Sequence, residues 1–272
     1  MSEQAQRYID HIRTVMESDT VIYPRGEEVR EVADLQLFVD PREPFMNFES
    51  RKYPLSYFKK EMLWKLGADK YDDSIKQHAK MWESVQNPDG TFNSNYGQYW
   101  FGEQMGIWHV VTELIRDKDS RRAVIPMLNT SHMTPGVRDT VCTECIGFRL
   151  RERNGCLCLD MSVHMRSSDI IFGLGTDIPT FSFLYRLVCA LLQPNYDSKI
   201  CWGNMIITAM SAHLYRKHYD MAERIVQGGV DQYTPIHMPP TKIMEAMYII
   251  SKRGKMSDIP RPYQLARWVN ET

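Results

Sequence analysis

The sequence has no run of about 20 apolar residues, so no membrane-spanning helix is predicted. Neither charge is in excess. Thirty-three Lys and Arg stand against 34 Asp and Glu, a net charge of -1, which argues against the broad basic field that draws proteins to nucleic acid. Gly/Ser linkers, low-complexity tracts and internal repeats are missing. The polar start, MSEQAQRYIDHIRTVMESD, has no apolar stretch of the kind a secretory leader needs. The six Cys follow no compact disulfide spacing, so free thiols in a reducing cytoplasm are expected. What is abundant is core material: 43% of the residues are hydrophobic, enough for one folded domain over 1–272.

Hydrophobic periodicity predicts helices over 1–17, 55–66, 72–85, 104–116, 178–192 and 219–226, with Gly67 stopping the second. Strands are predicted over 34–40, 122–128 and 206–215; Pro126 places the middle one at an edge or a bend. The strongest local signal is a hairpin, 141–153 and 156–167, joined by Asn154-Gly155, the preferred pair for a two-residue type I′ turn. Facing residues then have numbers summing to 309. Leu150 faces Leu159, Phe148 faces Met161 and Ile146 faces Val163, giving one apolar side. Arg149 faces Asp160 on the other, an opposite-charge pair that supports the register. The same count sets Cys142 opposite Ser167, beside Arg166. Helices and strands are mixed without regular βαβ alternation, which indicates an α+β fold.

Cys142-x-x-Cys145 and Cys156-x-Cys158 invite a zinc reading, but the hairpin opposes it. Cys142 lies roughly 40 Å along the strand from the turn that holds Cys156 and Cys158, whereas zinc draws its sulfurs to about 2.3 Å. No metal is expected. Cys145, Cys156, Cys158, Cys189 and Cys201 read as small buried hydrophobes. A guanidinium beside Cys142 favours thiolate, the nucleophilic form, there.

Cys142, Met165-Arg166-Ser167-Ser168-Asp169, Phe172-Gly173-Leu174, Asp177 and His213-Leu214-Tyr215 occur in the order and spacing of thymidylate synthases. Ser120-Arg121-Arg122, Glu61-Met62-Leu63-Trp64 and Asn95-Tyr96-Gly97 extend the resemblance over roughly residues 20–226. Departures from the synthases themselves are Val141-Cys142-Thr143 for Pro-Cys-His, Met165-Arg166-Ser167 for Gln-Arg-Ser, and Asp177 for Asn. With these, the chain resembles the branch of that family, known from phages, that hydroxymethylates deoxycytidylate.

The resemblance implies a mixed or antiparallel twisted sheet with flanking helices, in an obligate homodimer. It implies dCMP as substrate and 5,10-methylenetetrahydrofolate as co-substrate, with neither nucleic acid nor membrane as a partner. The setting is cytoplasmic, the host's if the chain is phage-encoded. Cys142 attacks C6 of the pyrimidine, and Glu61 orders water and relays protons; an apolar helix raises the pKa of such a carboxyl. The alternative for Glu61 is a solvated side chain beside Lys59 and Lys60. Asp177 reads the base: a carboxylate accepts from the N4 amino group of cytosine and holds a proton at N3, whereas the synthase amide complements uracil. Its alternative is an N-cap before Ile178. Ser168 and Asp169 orient the base, and His213 and Tyr215 hold the sugar. Arg166, Ser167 and Arg25 bind phosphate, as do Arg121 and Arg122 reaching into the partner's site. Trp82 and Tyr96 line the folate pocket, with core packing as their alternative. The polar end, Ala266 to Thr272, implies a less water-tight closure than a synthase has. Three other activities stay open: CMP hydroxymethylation, as in nucleoside-antibiotic pathways; C5-methylation or action on dUMP; and a non-catalytic, zinc-binding or interaction role.

Overall fold

A computed structural model describes residues 2–103 and 105–271. The elements run α1 (Glu3–Met16), β1 (Val21–Ile22), β2 (Val29–Val39), α2 (Leu55–Gly67), α3 (Met81–Val85), α4 (Gly97–Trp100), α5 (Gly106–Arg116), β3 (Val124–Pro126), β4 (Thr143–Arg153), β5 (Cys156–Met165), β6 (Ser168–Asp169), α6 (Gly173–Leu192), β7 (Ile200–Tyr215), α7 (Tyr219–Gly228), α8 (Ile243–Lys252) and α9 (Gln264–Asn270). The strands make a seven-stranded sheet ordered β1-β2-β7-β5-β4-β3, with β6 also on β7. The sheet is mixed, since β6 pairs with β7 in parallel while β2 and β7 are antiparallel. Among the described residues no helix is long and apolar enough to cross a membrane.

The fold comprises two compact units. The first contains Met1–Tyr53, Ser162–Phe183 and Asn204–Met238; the second contains Pro54–Met161, Leu184–Gly203 and Pro239–Thr272.

In the first unit β2 lies along β7 with partner numbers summing to 244, Leu37 opposite Ile207 and Phe38 opposite Ile206. Alternation then separates two faces. Leu37, Val39, Met205 and Ile207 are buried, while Phe38 is 47% and Met210 54% exposed. Helix α1 buries Tyr8, Ile9, Ile12 and Val15, and Tyr8 Oη donates to the carbonyl of Ile170 at 2.6 Å.

In the second unit the hairpin turn is as expected: Asn154 (φ 52°) and Gly155 (φ 75°) are both left-handed, as a type I′ turn requires. Ile146, Phe148, Leu150, Leu159 and Met161 are all buried, and Arg149 Nε donates to Asp160 Oδ2 at 3.3 Å. Strand β3 closes the edge and carries Pro126.

Several expectations need correction. Helix α2 runs through Gly67 and ends on Ala68, which takes the left-handed cap (φ 55°). Residues 72–85 do not form one helix. A short 3-10 turn, Ser74–Gln77, precedes the five-residue α3, because Ile75 and Trp82 dock separately into one cluster with Trp64 and Phe92. The helix predicted from 104 starts at Gly106, and Gln104 itself lies outside the described residues. Strands β2 and β7 and helix α6 each begin at least five residues before their predicted starts. Cys156 and Cys201 are not thiols: they form a disulfide, Cα atoms 6.2 Å apart, because neighbouring strands bring them together.

Candidate active site

In the second unit, Cys142 immediately precedes β4 and is a half-buried thiol. Its neighbour Thr143 is fully buried and donates from Oγ1 to Tyr96 Oη at 3.0 Å. Glu61 is 5% exposed, so it is no solvated side chain beside Lys59 and Lys60. Its partner is Lys65, one helical turn on, with Nζ 2.8 Å from Oε1. The second oxygen, Oε2, is buried and has no hydrogen-bond partner of normal geometry among the described residues. Burial, then the adjacent Glu61 carboxylate, push the Tyr57 phenol far above its ordinary pKa, so Tyr57 stays protonated. Trp82 Nε1 donates to that phenol at 3.0 Å. Trp82 therefore helps fix the face of α2 that carries Glu61 while packing in the aromatic cluster.

Arg121 and Arg122 are exposed on a rigid base. Ser120 Oγ donates to Glu113 Oε1 at 2.7 Å and accepts from the Arg122 N–H at 3.1 Å. His109 Nε2 donates to the Arg122 carbonyl at 2.9 Å. The Arg122 backbone is thus tied down, while its side chain is largely exposed, with Nε 4.0 Å from Glu113 Oε1.

In the first unit, Arg166 and Ser167 follow the end of β5, both half-buried. Parallel pairing sets Ser168 beside Ala212 and Asp169 beside His213. Ser168 Oγ is buried without a hydrogen-bond partner among the described residues. It lines a cavity of about 10 Å³ otherwise walled by apolar side chains, among them Leu37, Ile170 and Leu174. That is room for one water at most, not for a nucleotide. Asp169 Oδ1 accepts from the N–H groups of Ile171 (2.8 Å) and Phe172 (3.2 Å), shaping the turn into α6. Asp177 is half-buried in the second turn of α6, so it is not an N-cap. His213 is 8% exposed and stands edge-on to Tyr215, ring centres 5.2 Å apart. Arg25 is exposed at φ 54° in the 3-10 turn before β2.

Sequence reasoning missed three groups. Arg51 is only 4% exposed, stacks 4.9 Å from the Phe172 ring centre, and has Nε and Nη1 without hydrogen-bond partners among the described residues. Gly175 makes room for it, since a Cβ there would stand 2.6 Å from Nη1. His218 also packs on Phe172, at 4.6 Å. Its Nδ1 is 3.9 Å from Asp169 Oδ2, beyond hydrogen-bond reach, and burial lowers its pKa below the ordinary histidine value. The third, Lys65, was legible as an i,i+4 partner of Glu61. Nothing in the sequence marks Arg51 as buried or His218 as half-buried.

Among the described residues no cluster of His, Cys, Asp and Glu is arranged to hold a metal ion. The second unit carries a thiol, a buried carboxylate and exposed arginines; the first carries buried donors lacking acceptors among the described residues. They suit nucleophilic and proton-transfer chemistry on an anionic substrate.

The sequence matches the thymidylate synthase family over residues 6–251. The chain belongs to that family. As a family member it is a one-carbon transferase. Among curated proteins it is similar to the deoxycytidylate 5-hydroxymethyltransferases of Enterobacteria phages T4, T2 and T6. Each is 25% identical over 218 residues, covering 76% of this chain and 84% of the phage protein.

Proposed function

We propose that this thymidylate synthase family member converts dCMP to 5-hydroxymethyl-dCMP. Its co-substrate is 5,10-methylenetetrahydrofolate, and it works in the cytoplasm as an obligate homodimer. The observation that carries the choice of cytidylate is a carboxylate at position 177, half-buried in the second turn of α6. Asp177 can accept from the cytosine amino group and keep N3 protonated; a uracil there leaves a buried acceptor unmatched, which costs selectivity of several kcal/mol.

Cys142 Sγ adds to C6, and C5 becomes the carbon nucleophile. The folate supplies a one-carbon unit at the formaldehyde oxidation level. C5 bonds to it, the C5 proton is lost, and the folate nitrogen leaves protonated. An exocyclic methylene remains on the ring. Water adds to that methylene as Glu61 Oε2 takes its proton, and Sγ then departs from C6. The balance is dCMP, methylenetetrahydrofolate and water in; hydroxymethyl-dCMP and tetrahydrofolate out. Arg166, Ser167 and Arg25 hold the phosphate, His213 and Tyr215 the sugar, and Ser168 and Asp169 support the base. The buried donors of Arg51 and the exposed Phe172 ring fit an aromatic, anionic ligand such as a reduced folate.

Two features support the dimer. Arg121 and Arg122 are exposed, as phosphate ligands offered to a partner's site would be. The outer face of β2 and β7 leaves Phe38 and Met210 uncovered, the kind of patch that a second copy buries.

Incubation with dCMP, CMP or dUMP plus methylenetetrahydrofolate, followed by mass analysis of the nucleotide, tests the activity. A hydroxymethyl product from dCMP is expected. A methyl product, or a preference for CMP or dUMP, overturns the assignment. Sedimentation at micromolar concentration should give twice the chain mass.

A further inference from the structure

Helix α2 carries Tyr57, Glu61 and Lys65 at steps of four, so they share one face. The side chains of Glu61 and Lys65 are 7% and 3% exposed. An ion pair this deep is a poor device for stability alone: its desolvation cost is close to its attraction, and apolar side chains of similar volume would serve as well. What it supplies is direction. The ammonium engages Oε1 at 2.8 Å and leaves Oε2 buried without an ionic partner among the described residues, and the Tyr57 phenol also interacts with the carboxylate. The same ammonium lies 4.9 Å from the centre of the Tyr96 ring, an attraction between cation and ring face that strengthens out of water. Tyr96 Oη in turn accepts from Thr143, the residue after Cys142.

The backbone holds this chain of contacts in place. Asn95 Nδ2 donates to the carbonyls of Trp64 (3.2 Å) and Asp69 (3.1 Å), while its Oδ1 accepts from the Gly97 N–H. Gly97 presses so closely on the Lys65 carbonyl that a Cβ would overlap it. Asn95-Tyr96-Gly97 is therefore clamped to the last turn of α2, and the Tyr96 ring has its place over Lys65 for that reason.

We propose that Lys65 is a positioning residue. It pins one oxygen of Glu61 so that the other is presented for proton transfer, and through the Tyr96 ring and the Thr143 hydroxyl it ties that carboxylate to the start of the strand beside Cys142. Lys65 does not touch substrate; its effect on turnover rests on the activity proposed above.

The test compares Lys65→Met, Lys65→Arg, Glu61→Gln and the Lys65→Met/Glu61→Gln double variant, all assayed as the intact chain with dCMP and methylenetetrahydrofolate. Lys65→Met should lower kcat about 10- to 100-fold, as small misplacements do, and leave KM for dCMP nearly unchanged. Lys65→Arg should recover much of the loss. The double variant should be no slower than Glu61→Gln alone, because Lys65 acts through Glu61. If Lys65→Met does not fold, Lys65→Gln is read by the same criteria. A folded, uncharged variant with wild-type kcat, or losses that multiply in the double variant, overturns the role of Lys65 while leaving the hydroxymethylase activity standing. A wild-type chain that modifies no pyrimidine nucleotide overturns both.

Discussion

The two units treat their buried polar groups differently. In the second, several buried charges meet partners inside the protein, although buried polar atoms there, Trp100 Nε1 among them, also lack a hydrogen-bond partner among the described residues. Asp160, 1% exposed, meets Arg149 and Arg153; Asp139 receives the N–H and hydroxyl of Ser94; Lys65 meets Glu61. In the first, Arg51, Ser168 and His218 keep buried polar atoms that nothing in the described residues satisfies. Native proteins leave few such groups, and each carries a desolvation penalty of about 1–3 kcal/mol. The contrast is one of degree: the second unit pairs several of its buried charges internally, while in the first the buried Arg51 keeps two donor atoms without acceptors among the described residues.

The largest expected effect tests the reactive half of that contrast. Cys142→Ser should lower kcat by about 10⁴ or more, while calorimetric titration with dCMP still shows binding; turnover near wild type removes Cys142 from the chemistry. Next, Asp177→Asn should shift kcat/KM from dCMP towards dUMP by about 10² or more, without abolishing turnover of both. An unchanged ratio would mean that the base is read elsewhere.

A smaller effect separates matched from unmatched charge. Lys65→Met, which strands Glu61, should cost about 3 kcal/mol in urea unfolding. Arg51→Met, which removes a cation with unmet donors, should cost little or even stabilise the ligand-free chain, yet weaken tetrahydrofolate binding. Equal losses in the two variants would erase the distinction between the units.

The smallest effect concerns pH. His218 in the first unit and His132 in the second are both held below the ordinary histidine pKa by burial. The unfolded chain thus binds the more protons between the lowered pKa and about 6.5. Stability from these groups is complete above about 6.5 and falls as the solution is acidified through the folded-state pKa. Thermal midpoints measured from pH 7.5 to 5 should therefore decline, and His132→Gln should flatten part of the slope. A slope unchanged by that substitution would exclude His132 as a source.

Local chemistry explains what was readable in advance. Asn154-Gly155 tolerates positive φ at both places, so the hairpin and its turn were legible from a dipeptide and two alternating flanks. Helix α1 was legible from a single apolar stripe. Residues 72–85 misled because Ile75 and Trp82 mimic helical spacing while docking separately beside Trp64 and Phe92. The Cys156–Cys201 bridge was illegible because its partners lie 45 residues apart. Of the proposed site, Cys142, Glu61 and Asp177 were singled out through their flanking motifs. Arg51 gave no sign, since an arginine in a polar stretch is ordinarily solvated and only the Phe172 ring and the gap at Gly175 enclose it.

Each unit is stitched from three stretches of chain, the first closing only at Met238. A ribosome emitting this polypeptide releases residues 1–53 long before the segments they pack with in that unit. Early β2 must wait exposed for β7, more than 160 positions later. Long-range pairing of this kind slows folding and leaves strand edges open meanwhile, so heterologous production should yield more active material when translation is slowed or chaperones are abundant.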